Sequence, residues 1–150
     1  MTDAIASGAP YAGLFATAFL AATLLPAQSE LLLGAMLASG RYDTALLLAS
    51  ATAGNTLGSV VNWLLGRFVE HFRDRRWFPV KRQALERAER WYARWGKWSL
   101  LLSWAPVVGD ALTLAAGLMR TRLAIFLPIV LVAKGGRYLV IAAAVGALSP

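Results

Sequence analysis

The amino-acid sequence predicts an all-α integral membrane protein. Three observations carry this: few charged residues, long runs without any charge, and a basic segment set between two apolar halves. Of 150 residues, 58% are hydrophobic and only 15% are charged, against about 25% in soluble domains. Residues 44–66 carry no charged side chain over 23 positions, and about 20 suffice to cross the hydrocarbon core as a helix. Residues 123–148 form a second long apolar stretch, interrupted only by Lys134 and Arg137. Residues 11–29 and 98–119 are shorter apolar stretches.

The first stretch resembles the apolar core of a signal peptide, but no Lys or Arg precedes Arg41, so the basic leader region is missing. Residues 1–150 are therefore read as the mature chain. The first half then runs through Leu25-Pro26-Ala27-Gln28-Ser29-Glu30, and the second through Ala105-Pro106-Val107-Val108-Gly109-Asp110. Each has a proline with an acid four residues later, and the two copies are offset by 80 residues. Each leads through a glycine-containing apolar stretch and a polar turn into one long span, ending in Gly66 or Gly146.

Length sets how each half sits. Residues 11–25 make at most about 22 Å of helix at 1.5 Å per residue, short of a core of about 30 Å. Proline removes a backbone donor and breaks the helix. Each half is expected to begin with a re-entrant hairpin, tipped at Pro26 or Pro106, followed by a full span. Such a half ends on the side opposite its start, so two in series form an inverted repeat, as in many transporters. Two proline-kinked full spans per half are the alternative. The expected organisation is one membrane domain over 1–150: a first repeat at 1–68, a basic amphipathic segment at 69–97 and a second repeat at 98–150.

The central segment fixes the orientation. Residues 67–97 hold ten Lys/Arg and four Asp/Glu. A basic segment between apolar spans is the ordinary cytoplasmic signal, which places both termini outside. The formal charge of +7 is thereby explained without nucleic acid. Within residues 82–98, Leu85, Ala88, Trp91, Tyr92 and Trp95 share one helical face, with Arg87, Arg90, Arg94 and Lys97 mainly on the other. Indoles and bases together suit the membrane interface, either as an anchor or in contact with anionic lipid headgroups.

Four charges lie deep in apolar segments: Glu30, Asp110, Lys134 and Arg137. Such charges are costly and usually functional. Lys134 and Arg137 share a helix face near the middle of the last span. If the hairpin tips meet near the midplane, all four converge, with Arg137 held by Glu30 or Asp110. They then either clamp the halves together or form a substrate and proton pathway in which an acid exchanges a proton as cargo binds. Thr52, Asn55, Ser59 and Asn62 make one polar stripe on the other span, expected to face the interior, and Asn55 and Asn62 join the candidate pathway. Gly54-x-x-x-Gly58 would allow close helix contact. Cysteine is absent and His71 is the single histidine, so no Cys-based or zinc site is expected. No nucleophile elbow or phosphate-cradling loop occurs, and Asp43 at a span entrance does not make an aspartyl-protease dyad with Asp110. The reading is non-enzymatic, with no metal and no cofactor.

Together these residues resemble the small YqaA-like branch of the DedA (SNARE-associated, or VTT) membrane proteins. The resemblance rests on Ala22-Thr23-Leu24-Leu25-Pro26 with Ser29-Glu30, Gly54-Asn55 with Gly58, Leu101-Leu102-Ser103-Trp104, Pro106-Val107-Val108-Gly109-Asp110 and Gly135-Gly136-Arg137-Tyr138. It implies two re-entrant hairpins in a bacterial inner-membrane protein of membrane homeostasis, with lipid or lipid-phosphate translocation and proton coupling as in better-known relatives. The expected function is translocation of a lipid or a small anionic solute, coupled to protons. Larger members carry arginines around the second hairpin proline. Here those places hold Ser103-Trp104-Ala105-Pro106 and Gly109, and Lys134 and Arg137 are expected to supply the positive charge. A structural or assembly factor is the alternative function. Two arms per hairpin and one span per half make a small body, compatible with a homo-oligomer surrounded by membrane lipids.

Overall fold

The computed structural model describes residues 8–22, 28–68, 81–105 and 108–148. Among these every regular element is helical: α1 (Ala9–Ala21), α2 (Gln28–Ala38), α3 (Thr44–Arg67), α4 (Arg82–Trp95), a 3₁₀ segment (Gly96–Trp104), α5 (Val108–Leu118) and α6 (Leu123–Leu148). The tips expected at Pro26 and Pro106 lie outside the described residues.

Two helices, α3 and α6, are long and apolar enough to cross a membrane. Their outward faces argue against the core of a soluble protein. Leu46, Leu57 and Leu64 on α3, and Val132, Leu139 and Val140 on α6, are all exposed, and only 28% of the most apolar window of α6 is buried. Side chains of this kind face water at a large cost and lipid at none. α1 has 13 residues and α2 and α5 have 11 each, about 20 and 16 Å at the usual rise, too short to span.

Local signals set the boundaries. Asp43 caps α3 by accepting from the Leu46 amide at 2.9 Å. α4 stops at Gly96, whose φ of 62° is left-handed. The amphipathic helix therefore ends at Trp95, short of the Trp98 expected from periodicity, and the chain continues as a 3₁₀ turn.

α3 and α6 run antiparallel. Leu47 and Ala51 near the start of α3 share a core with Tyr138 in the second half of α6, together with Leu14 and Ala18 of α1 and Leu33 of α2. Trp63 near the end of α3 shares a second core with Phe126 and Val130 near the start of α6, joined by Leu85, Tyr92, Leu100 and most of α5. The Trp63 and Phe126 ring centroids are 6.1 Å apart. Between the two cores, α3 contributes Asn55, Ser59 and Asn62, and α6 contributes Lys134, all buried. A polar layer thus separates two apolar ones.

The glycines of α3 permit this packing. β-Carbons at Gly54 and Gly58 would strike the carbonyls of Phe15 and Phe19 on α1. The G-x-x-x-G pair is therefore the seat of α1. At the other end of α3, Gly66 meets Gly117 of α5 in a second close crossing.

Candidate functional site

The polar stripe of α3 bonds the backbone at the end of a short helix. α1 ends at Ala21 with the Ala18 carbonyl accepting from the Ala22 amide, and the Ala22 carbonyl lies beyond the helix. Asn62 Nδ2 donates to the Ala22 carbonyl at 2.8 Å and lies 3.4 Å from Thr113 Oγ1. Asn55 Nδ2 donates to the Ala18 carbonyl at 3.1 Å. The stripe faces the interior, as its spacing predicts. Its two asparagines part company there. Asn55 also lines a crevice with Asp110, Lys134 and Arg137, whereas Asn62 sits fully buried outside it.

The four deep charges come together as two ion pairs. The Arg137 guanidinium pairs with Glu30 in the first turn of α2, and Lys134 Nζ lies 4.0 Å from Asp110 Oδ1 in the first turn of α5. Carboxylates suit the first turn of a helix, where backbone amides point outward. The pairs differ in access. Lys134 is nearly sealed, and the crevice it shares with Ala21, Ala22, Asn55, Ala105, Asp110 and Arg137 has about 10 Å³, the space of one water. Glu30 and Arg137 instead open on a cavity of about 680 Å³, walled by Trp104, Val132, Ala133, Gly136, Val140 and Ile141. Arg137 borders both spaces. A guanidinium there offers forked donors to a planar or tetrahedral anion, and the apolar wall suits hydrocarbon.

Several contributors carried no assigned role in the sequence. Tyr138 hydroxyl lies 3.1 Å from Ser29 Oγ, tying α6 to α2 beside the Glu30–Arg137 pair. Each of these residues is next to a charge already singled out, and adjacency is the signal that points to them. Trp104 forms a cavity wall, and its position just before the second proline marks it. Thr113 lies one helical turn after Asp110 and donates to the Asp110 carbonyl at 2.8 Å. Gly109 packs against the backbone of Ser103, and a β-carbon there would collide with the Ser103 carbonyl. No side chain finds room at this position, and the two cations of the site stand on α6.

The basic residues expected at the interface form a separate group. Arg87, Arg90, Arg94, Trp91 and Trp95 are exposed on α4. Leu85, Ala88 and Tyr92, from the same apolar face, are buried in the core that includes α5. That face is spent largely on protein rather than lipid.

Long apolar helices with lipid-suited outer faces and ion pairs held between them define an integral membrane protein. The sequence matches the VTT domain over residues 25–147. It is 45% identical over 131 residues to the inner membrane protein YqaA of Escherichia coli K12, covering 87% of each chain, and equally similar to its Shigella flexneri counterpart. A Haemophilus influenzae protein is 36% identical over 117 residues, 71% of this chain and 69% of its own. No solved structure matches. The chain belongs to the VTT-domain, or DedA, family and is a bacterial inner-membrane protein.

Proposed function

We propose that this protein moves a lipid, a lipid phosphate or a small anionic solute across the inner membrane, with a proton exchanged at Glu30 or Asp110. The observation that carries the reading is the Glu30–Arg137 pair at the wall of an apolar cavity of about 680 Å³. An anionic group entering there competes with Glu30 for Arg137. Protonation of the acid releases the guanidinium to the anion, so the pair exchanges one negative partner for another without leaving a bare charge at depth. Lys134 and Asp110, behind a crevice the size of one water, are the inner pair of the same pathway.

The proposed architecture is an inverted repeat of re-entrant hairpin plus span. Helix boundaries support it: α2 at 28–38 and α5 at 108–118 are displaced by 80 residues, and α3 and α6 are antiparallel. α5 packs on α3 and α2 packs on α6, so each short helix lies against a long one of the other half. The basic centre then faces the cytoplasm and both termini the periplasm.

A structural or assembly role is the second reading. Two complete ion pairs sum to zero charge, and that favours a clamp. Flux separates the two. Purified protein in liposomes with labelled lipids should show transfer that rises under a pH gradient and disappears in Glu30→Gln/Arg137→Met. Wild-type protein without flux under either condition would leave only the clamp.

A further inference from the structure

α4 and the 3₁₀ segment meet at the left-handed turn of Gly96. The turn brings Trp91, Trp95 and Trp98 to one cavity of about 350 Å³, completed by Ser99 and Leu102. These three indoles are 41%, 62% and 63% exposed, an unusual use of the largest apolar side chain. Cations lie over two of them. The Arg94 guanidinium is 5.4 Å from the Trp95 ring centroid and the Lys97 ammonium 5.3 Å from that of Trp98. A second cavity of about 140 Å³ lies between α4 and α5, lined by Ala84, Arg87, Ala88, Val108 and Ala111. Trp91 is a wall of both.

The position along the spans narrows the ligand. Tyr92 hydrogen-bonds Thr121, whose carbonyl accepts from Trp63 Nε1 near the end of α3. Arg67, Arg120 and Arg122 lie at this same end. The indoles therefore sit near the basic end of the two long helices, where tryptophan is enriched at headgroup level. Cavities with apolar walls, one lined by Arg87 and the other with Arg94 and Lys97 stacked on two of its indoles, complement a molecule with hydrocarbon chains and a net negative head. We propose that they bind one diacyl anionic phospholipid, its phosphate between Arg94 and Lys97 and its chains astride Trp91. The site is distinct from the Glu30–Arg137 cavity and does not depend on transport.

The test is native mass spectrometry of the purified full chain in neutral detergent, with dioleoyl phosphatidylglycerol or dioleoyl phosphatidylcholine added. Wild-type protein should retain one phosphatidylglycerol and lose phosphatidylcholine. Arg94→Gln/Lys97→Gln, at exposed positions, should weaken retention roughly twenty- to thirtyfold, the attraction of two basic side chains to an anionic surface. Its melting temperature without lipid should stay at the wild-type value, which separates loss of binding from loss of fold. Trp91→Ala should weaken the diacyl lipid more than its single-chain analogue. Glu30→Gln/Arg137→Met should retain phosphatidylglycerol as wild type does, whether or not that variant transports. Equal retention of both lipids, undiminished binding by Arg94→Gln/Lys97→Gln, or loss of the lipid in Glu30→Gln/Arg137→Met would overturn the assignment.

Discussion

Arg137 of α6 is ion-paired with Glu30 of α2, so a cation of the second half is held by an acid of the first. The other pair, Lys134 with Asp110, stays within the second half. Glu30–Arg137 is thus a charged contact between halves, and of the two pairs it is the one that borders the larger cavity.

Removing one partner strands the other. A lone charge near mid-bilayer costs about 2.5–3.5 kcal/mol on insertion scales. Glu30→Gln alone should lower membrane abundance and melting temperature more than Glu30→Gln/Arg137→Met, where no charge is left unmatched. Asp110→Asn and Asp110→Asn/Lys134→Met should behave likewise, because the pairs run within these couples. Crossing them, as in Glu30→Gln with Lys134→Met, breaks both pairs and should be worse than either matched double. Matched and crossed doubles of equal stability would dissolve the pairing.

Close crossings are sensitive to a single methyl. Gly117→Ala drives a β-carbon onto the Trp63 carbonyl, and backbone cannot yield as a side chain does. Overpacking of this kind costs about 1–3 kcal/mol. Gly34→Ala on α2 meets open space and should hold or raise the melting temperature, since alanine favours helix by roughly 0.5–1 kcal/mol. Thermal unfolding of both variants in one detergent is the measurement. A stable Gly117→Ala with an unstable Gly34→Ala would reverse the assignment of which glycines touch backbone.

Much of this was legible because membranes make the pattern blunt. The absence of charge over residues 44–66 and its near absence over 123–148 announce α3 and α6. The 80-residue offset of the Pro-x-x-x-acid motifs announces that Glu30 and Asp110 occupy equivalent first turns. Partner choice was not legible: Lys134 and Arg137 share a face, and only the packing of α2 on α6 and of α5 on α3 assigns one acid to each. Periodicity also could not tell lipid from protein as the cover of α4, because both present hydrocarbon. Leu85 and Tyr92 went to protein, while Trp91 and Trp95 stayed exposed.

The two asparagines of α3 should separate stability from function. Asn62→Leu removes the side-chain donor to the Ala22 carbonyl, and an unmade buried bond costs about 1–3 kcal/mol. Asn55→Leu removes the donor to Ala18, but that carbonyl keeps the Ala22 amide at 3.2 Å. Asn62→Leu should therefore lower the melting temperature further. Asn55→Leu, at the crevice with Asp110 and Lys134, should be the one that reduces flux per folded molecule. Paired melting and liposome measurements decide it, and a flux defect confined to Asn62→Leu would move the pathway away from the crevice.

Opposite ends of the spans should face opposite compartments. Ser39, just before α3, lies at the far end of that helix from Arg67, and Arg122, just before α6, lies beside Thr121 and Trp63 at the Arg67 end. The chain has no cysteine, so each single cysteine reports alone. The basic end carries Arg67, Arg120, Arg122 and the exposed bases of α4, against Arg41 at the other turn. The excess of Lys/Arg predicts that this end faces the cytoplasm. Ser39→Cys should therefore react with an impermeant thiol reagent in spheroplasts, while Arg90→Cys and Arg122→Cys react only after permeabilisation. Labelling in the reverse order would invert the orientation but keep both spans. Labelling of Ser39→Cys and Arg122→Cys from the same side would mean that α3 and α6 do not each cross the membrane, and the hairpin-plus-span repeat would fall with them.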